Sequence, residues 1–281
     1  GANVDDYNWT EVLMRDIPHN MMEGVALHHY ANVKWTEKGS ATNYTEAQYF
    51  ATMKSALRME ELVTRHSTIM DKYDPGKRVA LVVDEWGGWY EVEPGTNPGF
   101  LYQQNTIRDA MIAGVTLNIF NSHSDRVRMA NLAQTVNVLQ AVILTNKERM
   151  ITTPTYHVME MYNVHQNATM LPLQLTTNDY VFGNEKLPAV SVSASKNAAG
   201  VTHISLVNID ASKEQTISID LRGANYNAVT GRILTSKKLQ DYNSFDEPNK
   251  IQPTVFNGAK LNGTTLQLKL PPFSVVVLTL K

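Results

Sequence analysis

Short unbroken apolar runs alternate with longer amphipathic stretches over the first 165 residues. Three runs, beginning at Val25, Val79 and Val115, each lead into polar or aromatic residues. Runs of this length without polar interruptions are typical of strands buried on both faces, and hence of a parallel sheet. Between the first two runs, residues 45–73 carry an apolar stripe at helical spacing, which ends at Asp74-Pro75-Gly76. We therefore expect strands and helices to alternate along this part of the chain.

The alternation predicts part of a (β/α)₈ barrel. Further helices are predicted over residues 102–113, ending at Gly114, and over 131–144 and 155–165. A complete barrel needs about 250 residues. Only three β/α units are clear in this stretch, and a fourth strand is expected to be missing at the N-terminus. The sequence therefore predicts half of such a barrel.

A different pattern begins near residue 170. Apolar and polar residues alternate in four short segments, at 190–194, 203–207, 216–220 and 265–270. Asn257-Gly258 and Asn262-Gly263 are dipeptides typical of hairpin turns. Short strands separated in this way predict an antiparallel β-sandwich. The predicted fold class is thus α/β plus all-β, with the barrel part at residues 1–168 and the sandwich at 169–281.

Composition removes several classes of function. The 281 residues are 43% hydrophobic and 19% charged, with a formal net charge of −2 and no long basic run, so a nucleic acid is not an expected partner. No apolar run approaches the roughly 18 residues that a membrane span needs. The absence of cysteine excludes disulfides and thiolate chemistry, and the histidines lack the spacing of a zinc site. We expect no metal and no cofactor.

The strongest candidate chemistry lies where the second apolar run ends. Asp84 and Glu85 are followed there by Trp86, Trp89 and Tyr90. In parallel barrels the reactive residues sit at the C-terminal ends of strands. Neighbouring residues of a strand point to opposite faces, so we expect only one of the two carboxylates to face the barrel axis. The aromatic rings could stack on the C–H face of a sugar.

The ends of the other two runs also carry polar residues. His28 follows the first run and His123 the third, and both are predicted to line the same pocket. Asp125 and Arg126, just beyond His123, could bind a substrate or form a structural ion pair at the barrel rim.

Six segments in a fixed order resemble the α-L-arabinofuranosidases of glycoside hydrolase family 51. They are NVDDY at 3–7, LHHY at 27–30, DEW at 84–86 with WY at 89–90, NSHSDRV at 121–127, NLAQTVNV at 131–138 and TPTYH at 153–157. None of these motifs is decisive by itself, but their order and spacing agree from residue 3 to about 172. Beyond that point only the sandwich character agrees.

The resemblance implies a fold, a reaction and a set of site residues. The family combines a (β/α)₈ barrel with a β-sandwich, so this chain would hold the C-terminal half of the barrel. It hydrolyses with retention through two glutamates, removing terminal α-L-arabinofuranosyl residues from arabinan- or arabinoxylan-type chains. Glu85 matches the nucleophile, Tyr30 a tyrosine that hydrogen-bonds near it, and His28 the histidine two residues earlier. Trp89 and Gln134 match residues that line the arabinose pocket.

The resemblance also implies what else the enzyme needs. In the family, the proton-donating glutamate follows a Gly-Asn pair on an earlier barrel strand, which would precede Gly1. The expected partner is therefore the N-terminal half of the same enzyme, and the chain opens as if cut from something longer. Gly183-Asn184-Glu185 repeats the donor's motif, but it lies between sandwich strands and is predicted to be a turn. Family members are often oligomeric, which implies a homo-oligomer.

One departure from the family concerns the pocket wall. The family usually has a larger residue between the two tryptophans, where this chain has Gly87-Gly88. Two other functions fit the same sequence. One is an endo-acting β-glucanase or xylanase on the same fold, and the other is a carbohydrate-binding fragment without catalysis. The natural polysaccharide and the compartment stay open.

Overall fold

The first part of the chain forms a parallel sheet with helices between its strands. The structure, a computed structural model, describes residues 2–281. The strands are β1 (Ala2–Asn3), β2 (Gly24–Ala31), β3 (Ala80–Gly88) and β4 (Val127–Leu132). They lie side by side in this order, and every neighbouring pair is parallel. The helices that follow successive strands are α1 (Tyr7–Asp16), α2 (Glu46–Tyr73), α3 (Ile107–Ser122) and α4 (Pro154–Tyr162).

The parallel direction of the strands and their alternation with helices agree with the predicted α/β part. The fourth strand is β1 itself, at the start of the described chain, and it pairs with β2 at Leu27 and His28. The described residues form an open sheet with β1 and β4 at its edges, and the sheet does not close on itself. None of the helices within residues 2–281 is both long and apolar enough to cross a bilayer.

Threonine caps explain where three of the helices begin. The side chain of Thr45 accepts a hydrogen bond from the backbone N–H of Gln48, and the side chain of Gln48 accepts one from the backbone N–H of Thr45. Thr106 and Asp109 form the same reciprocal pair at the start of α3. Thr153 caps α4, with Pro154 in the first turn. The helices predicted over 45–73 and 155–165 are therefore found close to their expected bounds.

The strand predicted from Val115 is wrong, because this run lies inside α3. Thirteen of the 16 residues of α3 are buried, since the helix lies between the parallel sheet and the second part of the chain. A helix buried on all sides shows the same unbroken apolar run as a buried strand. The helix predicted over 102–113 accordingly starts later and continues past Gly114.

The helix predicted over 131–144 is also wrong. The strand β4 ends at Leu132, a loop follows, and residues 143–152 form a hairpin of β5 (Ile143–Asn146) and β6 (Arg149–Thr152). The parallel strand that follows β3 is therefore β4, and not the run that begins at Val115.

The second part of the chain is antiparallel, as predicted, and the fold class α/β plus all-β is confirmed. Its strands are β7 (Thr169–Met170), β8 (Asp179–Phe182), β9 (Glu185–Pro188), β10 (Val190–Lys196), β11 (Thr202–Asn208), β12 (Gln215–Asp220), β13 (Val229–Leu234), β14 (Thr254–Val255), β15 (Ala259–Asn262), β16 (Thr265–Leu270) and β17 (Ser274–Leu280). They form a six-stranded sheet in the order β14-β13-β17-β11-β10-β7, a three-stranded sheet in the order β12-β16-β15, and the hairpin β8-β9.

Two of the three predicted turns are found. Asn262-Gly263 lies at the hairpin of β15 and β16, and Gly183-Asn184 forms the turn between β8 and β9. Asn257-Gly258 instead connects β14 to β15, which belong to different sheets, so it turns no hairpin. Glu185 lies on the surface, where it pairs with Lys54 of α2.

One continuous apolar core joins the two parts of the chain. Helix α3 packs on β10 and β11, and Gly114 permits the close approach, since a Cβ atom there would lie 2.7 Å from Val207 Cγ2. Polar contacts flank this core. Asn118 bonds to Ser191 and Ser193, and His165 bonds to Ser195 at 2.7 Å and to Ser205 at 2.5 Å.

Candidate active site

The candidate site lies at the C-terminal ends of β2 and β3. These neighbouring parallel strands pair His28 with Glu85 and Tyr30 with Gly87. Because the strands run in the same direction, the polar residues that end each of them meet at one edge of the sheet. The structure thus brings together three predicted site residues, His28, Tyr30 and Glu85.

A bulge in β3 places both carboxylates beside one imidazole. Ala26 pairs with Val82 and His28 pairs with Glu85. Between these two pairs β3 advances by three residues and β2 by two, so β3 contains one extra residue. An extra residue of this kind resets the alternation of side chains along a strand. The expectation that Asp84 and Glu85 face opposite sides of the sheet is therefore wrong.

The distances show the result of this bulge. Nε2 of His28 lies 2.9 Å from Asp84 Oδ1, a close contact that is not aligned as a hydrogen bond, and Nδ1 lies 3.6 Å from Glu85 Oε2. Asp84 Oδ1 itself is buried, although the side chain as a whole is 42% exposed. The imidazole therefore lies between two acidic groups and spaces them apart.

Tyr30 holds Glu85 from the neighbouring strand. Its hydroxyl donates a 2.7 Å hydrogen bond to Glu85 Oε2. Burial, helped by this bond, raises the pKa of the Tyr30 phenol well above its ordinary value, so the hydroxyl remains a donor. Both contacts of Glu85 fall on Oε2, and within residues 2–281 Oε1 has no hydrogen-bond partner. The Glu85 side chain is 46% exposed, which leaves Oε1 accessible to a substrate.

An aromatic wall stands next to Glu85. The ring of Trp89 packs edge-on against Tyr30 at 5.0 Å between centroids and against Trp35 at 5.7 Å. The ammonium group of Lys38 lies 5.6 Å from the Trp35 ring and 5.7 Å from the Trp89 ring. Trp35 is half exposed, so the wall reaches from the carboxylate out to solvent.

Sequence reasoning missed Trp35 and Lys38. Both lie in the loop that follows β2, and such loops at the C-terminal ends of parallel strands carry binding residues. A tryptophan five residues after Tyr30 was therefore a usable signal.

Gln134 lies at the same edge of the sheet, just after β4. The preceding residue, Ala133, packs with Tyr30 and Leu139 in a small apolar cluster bordered by Trp89. The backbone N–H of Gln134 donates to the carbonyl of Val138, and its side chain is exposed. The structure thus places Gln134 near the site without a hydrogen bond to Glu85.

His123 does not line the pocket, contrary to the prediction. It caps the C-terminus of α3 and precedes β4, so it lies at the opposite end of the strands from Glu85. It bonds to Glu60 at 2.7 Å, and this bond raises the pKa of the imidazole. The error follows from the strand wrongly predicted at Val115, because the end of a helix was taken for the end of a strand.

Asp125 and Arg126 have structural roles. Arg126 is buried and donates to Asp74 Oδ2 and to the carbonyl of Val79, both at 2.9 Å, while Asp125 pairs with Lys77. Of the two readings left open for this pair, the structural one agrees with these contacts. No group of three or more His, Asp or Glu in the described part of the chain is placed to hold a metal ion.

The chain is similar in sequence and in fold to known proteins. A family model for the α-L-arabinofuranosidase C-terminal domain matches residues 84–274. The intracellular exo-α-L-arabinofuranosidase of Bacteroides ovatus is 49% identical over 283 residues, which is 100% of this chain and 55% of that protein. The crystal structure of the family 51 arabinofuranosidase from Xanthomonas axonopodis pv. citri has a TM-score of 0.98 at 48% identity, covering 100% of this chain and 57% of that one.

A more distant structural likeness concerns the fold alone. A xyloglucanase of glycoside hydrolase family 44 from Paenibacillus polymyxa has a TM-score of 0.60 at 14% identity, covering 92% of this chain and 46% of that one.

The chain thus combines a parallel β/α sheet with an antiparallel β part, and a half-exposed glutamate and an aromatic wall lie at the strand ends. The chain belongs to the α-L-arabinofuranosidases of glycoside hydrolase family 51. It spans about half the length of the curated relatives that it matches.

Proposed function

We propose that this chain supplies the nucleophile of a retaining glycosidase that removes terminal α-L-arabinofuranosyl residues from arabinan- or arabinoxylan-type chains. The observation that supports this most directly is the position of Glu85. Tyr30 fixes its Oε2 at 2.7 Å, while Oε1 stays accessible beside the aromatic wall. Such an oriented carboxylate is what attack on an anomeric carbon requires.

The proposed reaction has two steps. Glu85 Oε1 attacks the anomeric carbon as the glycosidic C–O bond breaks, and the leaving oxygen takes a proton from a second carboxylic acid. Water then attacks the same carbon from the opposite side, giving up a proton to that second group and releasing Glu85 and arabinose. Two inversions give overall retention.

The second carboxyl group is proposed to lie in the N-terminal half of the enzyme. A retaining pair is about 5–5.5 Å apart on opposite sides of the bond that breaks. Asp84 lies against the same imidazole as Glu85 and on the same strand, so it does not face Glu85 across a substrate. Glu185 lies on the surface, paired with Lys54. The relatives extend well beyond the matched region, which leaves room for the missing half.

The aromatic wall is proposed to hold the sugar. Trp89 offers a ring next to Glu85 on which the C–H face of arabinofuranose can stack, and Trp35 extends this surface outward. His28 and Gln134 complete the polar lining. Two relatives carry names that specify exo action, those of Bacteroides ovatus and Bifidobacterium longum, and we propose the same mode here.

The test is Glu85→Ala in the complete enzyme, assayed on an aryl α-L-arabinofuranoside. Turnover should fall by several orders of magnitude without loss of fold, since no other group can form the covalent intermediate. Added azide should restore part of the cleavage by replacing the carboxylate. The matched control is Glu185→Ala, which removes an exposed glutamate and should retain normal turnover. Near-normal turnover of Glu85→Ala would overturn the assignment.

Product analysis on polymeric arabinan and on β-glucan separates the proposal from its alternative. An exo-arabinofuranosidase releases only free arabinose, and an endo-glucanase or xylanase releases oligosaccharides. Release of oligosaccharides as the first products would contradict the proposal.

A further inference from the structure

Two buried glutamine side chains bond to the backbone at the C-terminal end of β3. The N–H of Gly88 donates to Gln140 Oε1 at 2.5 Å, and the carbonyl of Gly88 accepts from Gln103 Nε2 at 3.1 Å. Gln103 Oε1 also accepts from the N–H of Tyr90 at 2.9 Å. The two side-chain amides thus bond to the backbone of residues 88–90 as a neighbouring strand would. We call Gln103 and Gln140 the glutamine clamp.

The clamp replaces strand pairing that stops short. The pairing of β3 with β4 ends at Trp86 and Leu132, two residues before Gly88. Beyond this point a buried backbone N–H would lack a partner, at a cost comparable to that of a lost hydrogen bond. Gln140 lies on the loop after β4 and is fully buried, so it can supply the missing acceptor.

Gln140 is itself anchored to two helices. Its Nε2 donates to the carbonyl of Asp109 in α3 at 2.8 Å and to Thr155 Oγ1 in α4 at 3.0 Å. Both ends of the side-chain amide are therefore bonded, and the side chain has one fixed orientation. Gln140 thus transmits the positions of α3 and α4 to Gly88.

The clamp accounts for the two glycines between the tryptophans. A Cβ atom on Gly87 would lie 3.2 Å from Gln140 Cβ, and Gly87 has a φ of +140°, which favours glycine. A Cβ atom on Gly88 would lie 2.8 Å from the hydroxyl of Tyr90. Larger residues at these positions would displace Gln140 or the chain it holds.

The residue inside the clamped segment is Trp89. Its own N–H donates to the carbonyl of Ala31 at 3.0 Å, and its ring packs against Tyr30. Glu85 lies four residues before Trp89 and is held by Tyr30, without a bond to either glutamine. Loss of the clamp should therefore displace the Trp89 ring more than the Glu85 carboxylate.

We propose that Gln140 is a positioning residue, which through Gly88 fixes the Trp89 ring beside Glu85 and so sets the affinity for the arabinofuranosyl group. This inference rests on the proposed function, because it assumes that Trp89 contacts the sugar. Gln103, on the other side of Gly88, has the same role.

The test uses Gln140→Met and Gln103→Met in the complete enzyme. Methionine keeps the length of glutamine and removes its hydrogen bonds. Each variant should raise KM for an aryl arabinofuranoside roughly tenfold or more, with kcat changed much less, because a small displacement of a positioning group is costly. The dissociation constant of L-arabinose, from quenching of tryptophan fluorescence, should rise in parallel. The double variant should add little, since both side chains bond to the backbone of the same residue, Gly88.

The matched control is Asn118→Leu. Asn118 is also a fully bonded buried amide on α3, but it faces the antiparallel part of the chain, so this variant should lose stability with KM unchanged. A KM within twofold of this control in both clamp variants would overturn the inference. A fall in kcat at constant KM would also overturn it, because that result would mean that the glutamine clamp positions Glu85 instead of Trp89. If Gln140→Met fails to fold, Gln103→Met decides. Failure of the proposed function is a separate result, namely no arabinofuranosidase activity in the unmodified enzyme.

Discussion

Removal of the Tyr30 hydroxyl tests how Glu85 is oriented. The bond from Tyr30 to Glu85 Oε2, at 2.7 Å, is the only hydrogen bond that the Glu85 carboxylate receives within residues 2–281. In Tyr30→Phe the ring keeps its edge-on contact with Trp89, so the pocket wall stays in place. The carboxylate alone loses its fixed direction. The change therefore acts on one atom of the nucleophile and little else.

The size of the effect follows from the kind of bond that is lost. A hydrogen bond to a charged group contributes about 1.5–3 kcal/mol, and each 1.36 kcal/mol corresponds to a factor of ten in rate. If the bond acts mainly as the carboxylate attacks, kcat should fall about 10- to 150-fold. KM should change much less, because the contacts that bind the sugar remain.

The assay is steady-state hydrolysis of an aryl arabinofuranoside by the complete enzyme. Tyr162→Phe is the matched control, since Tyr162 is also buried and donates to Asn118 Oδ1 at 3.1 Å, but it lies where α4 meets the antiparallel part of the chain. The control should lose stability and keep kcat. An increase in KM at constant kcat in Tyr30→Phe would refute the reasoning and make Tyr30 a simple binding residue.

Two further predictions concern pH and completeness. Burial lowers the pKa of His165 from 6.5 to about 4, so the unfolded chain binds a proton first as the pH falls. The buried, neutral His165 therefore contributes up to about 3 kcal/mol to the free energy of unfolding above about pH 6.5, and this contribution is lost as the pH falls towards 4. Urea unfolding at pH 7 and pH 4.5 should show a smaller loss in His165→Gln than in the unmodified protein, and an equal loss would contradict the assignment. The 281-residue chain expressed alone should aggregate and be inactive, and co-expression with the N-terminal half should restore solubility and activity together; full activity of the lone chain would show that the acid lies within it.

The sequence predicted the fold well where pattern and period were unambiguous. The alternating strands of the antiparallel part and the long helix α2 carry clear periods of two and 3.6 residues. The run at Val115 carries neither, because α3 is surrounded by protein. Because this run was wrongly assigned as a strand, the true strand β4 was missed and His123 was wrongly placed in the pocket.

The sequence predicted that several candidate residues lie close together, but it predicted their geometry only in part. Glu85 and His28 were predicted because strand ends are recognisable in the sequence, and Tyr30 was predicted from the resemblance to the family. The bulge that brings Asp84 to the same imidazole depends on how β2 and β3 pair, which no local pattern records. The glutamine clamp was equally invisible, since Gln103 and Gln140 meet only through the position of Gly88.

The burial of α3 bears on how the molecule folds. A helix that faces water on one side can form before its neighbours pack against it, but α3 is buried on all sides. Its apolar surface is buried only when the parallel sheet and strands β10 and β11 are all in place. At Gly114 the helix packs closely on Val207, which requires a well-defined interface. We therefore expect the parts before and after residue 168 to fold together rather than as two independent units.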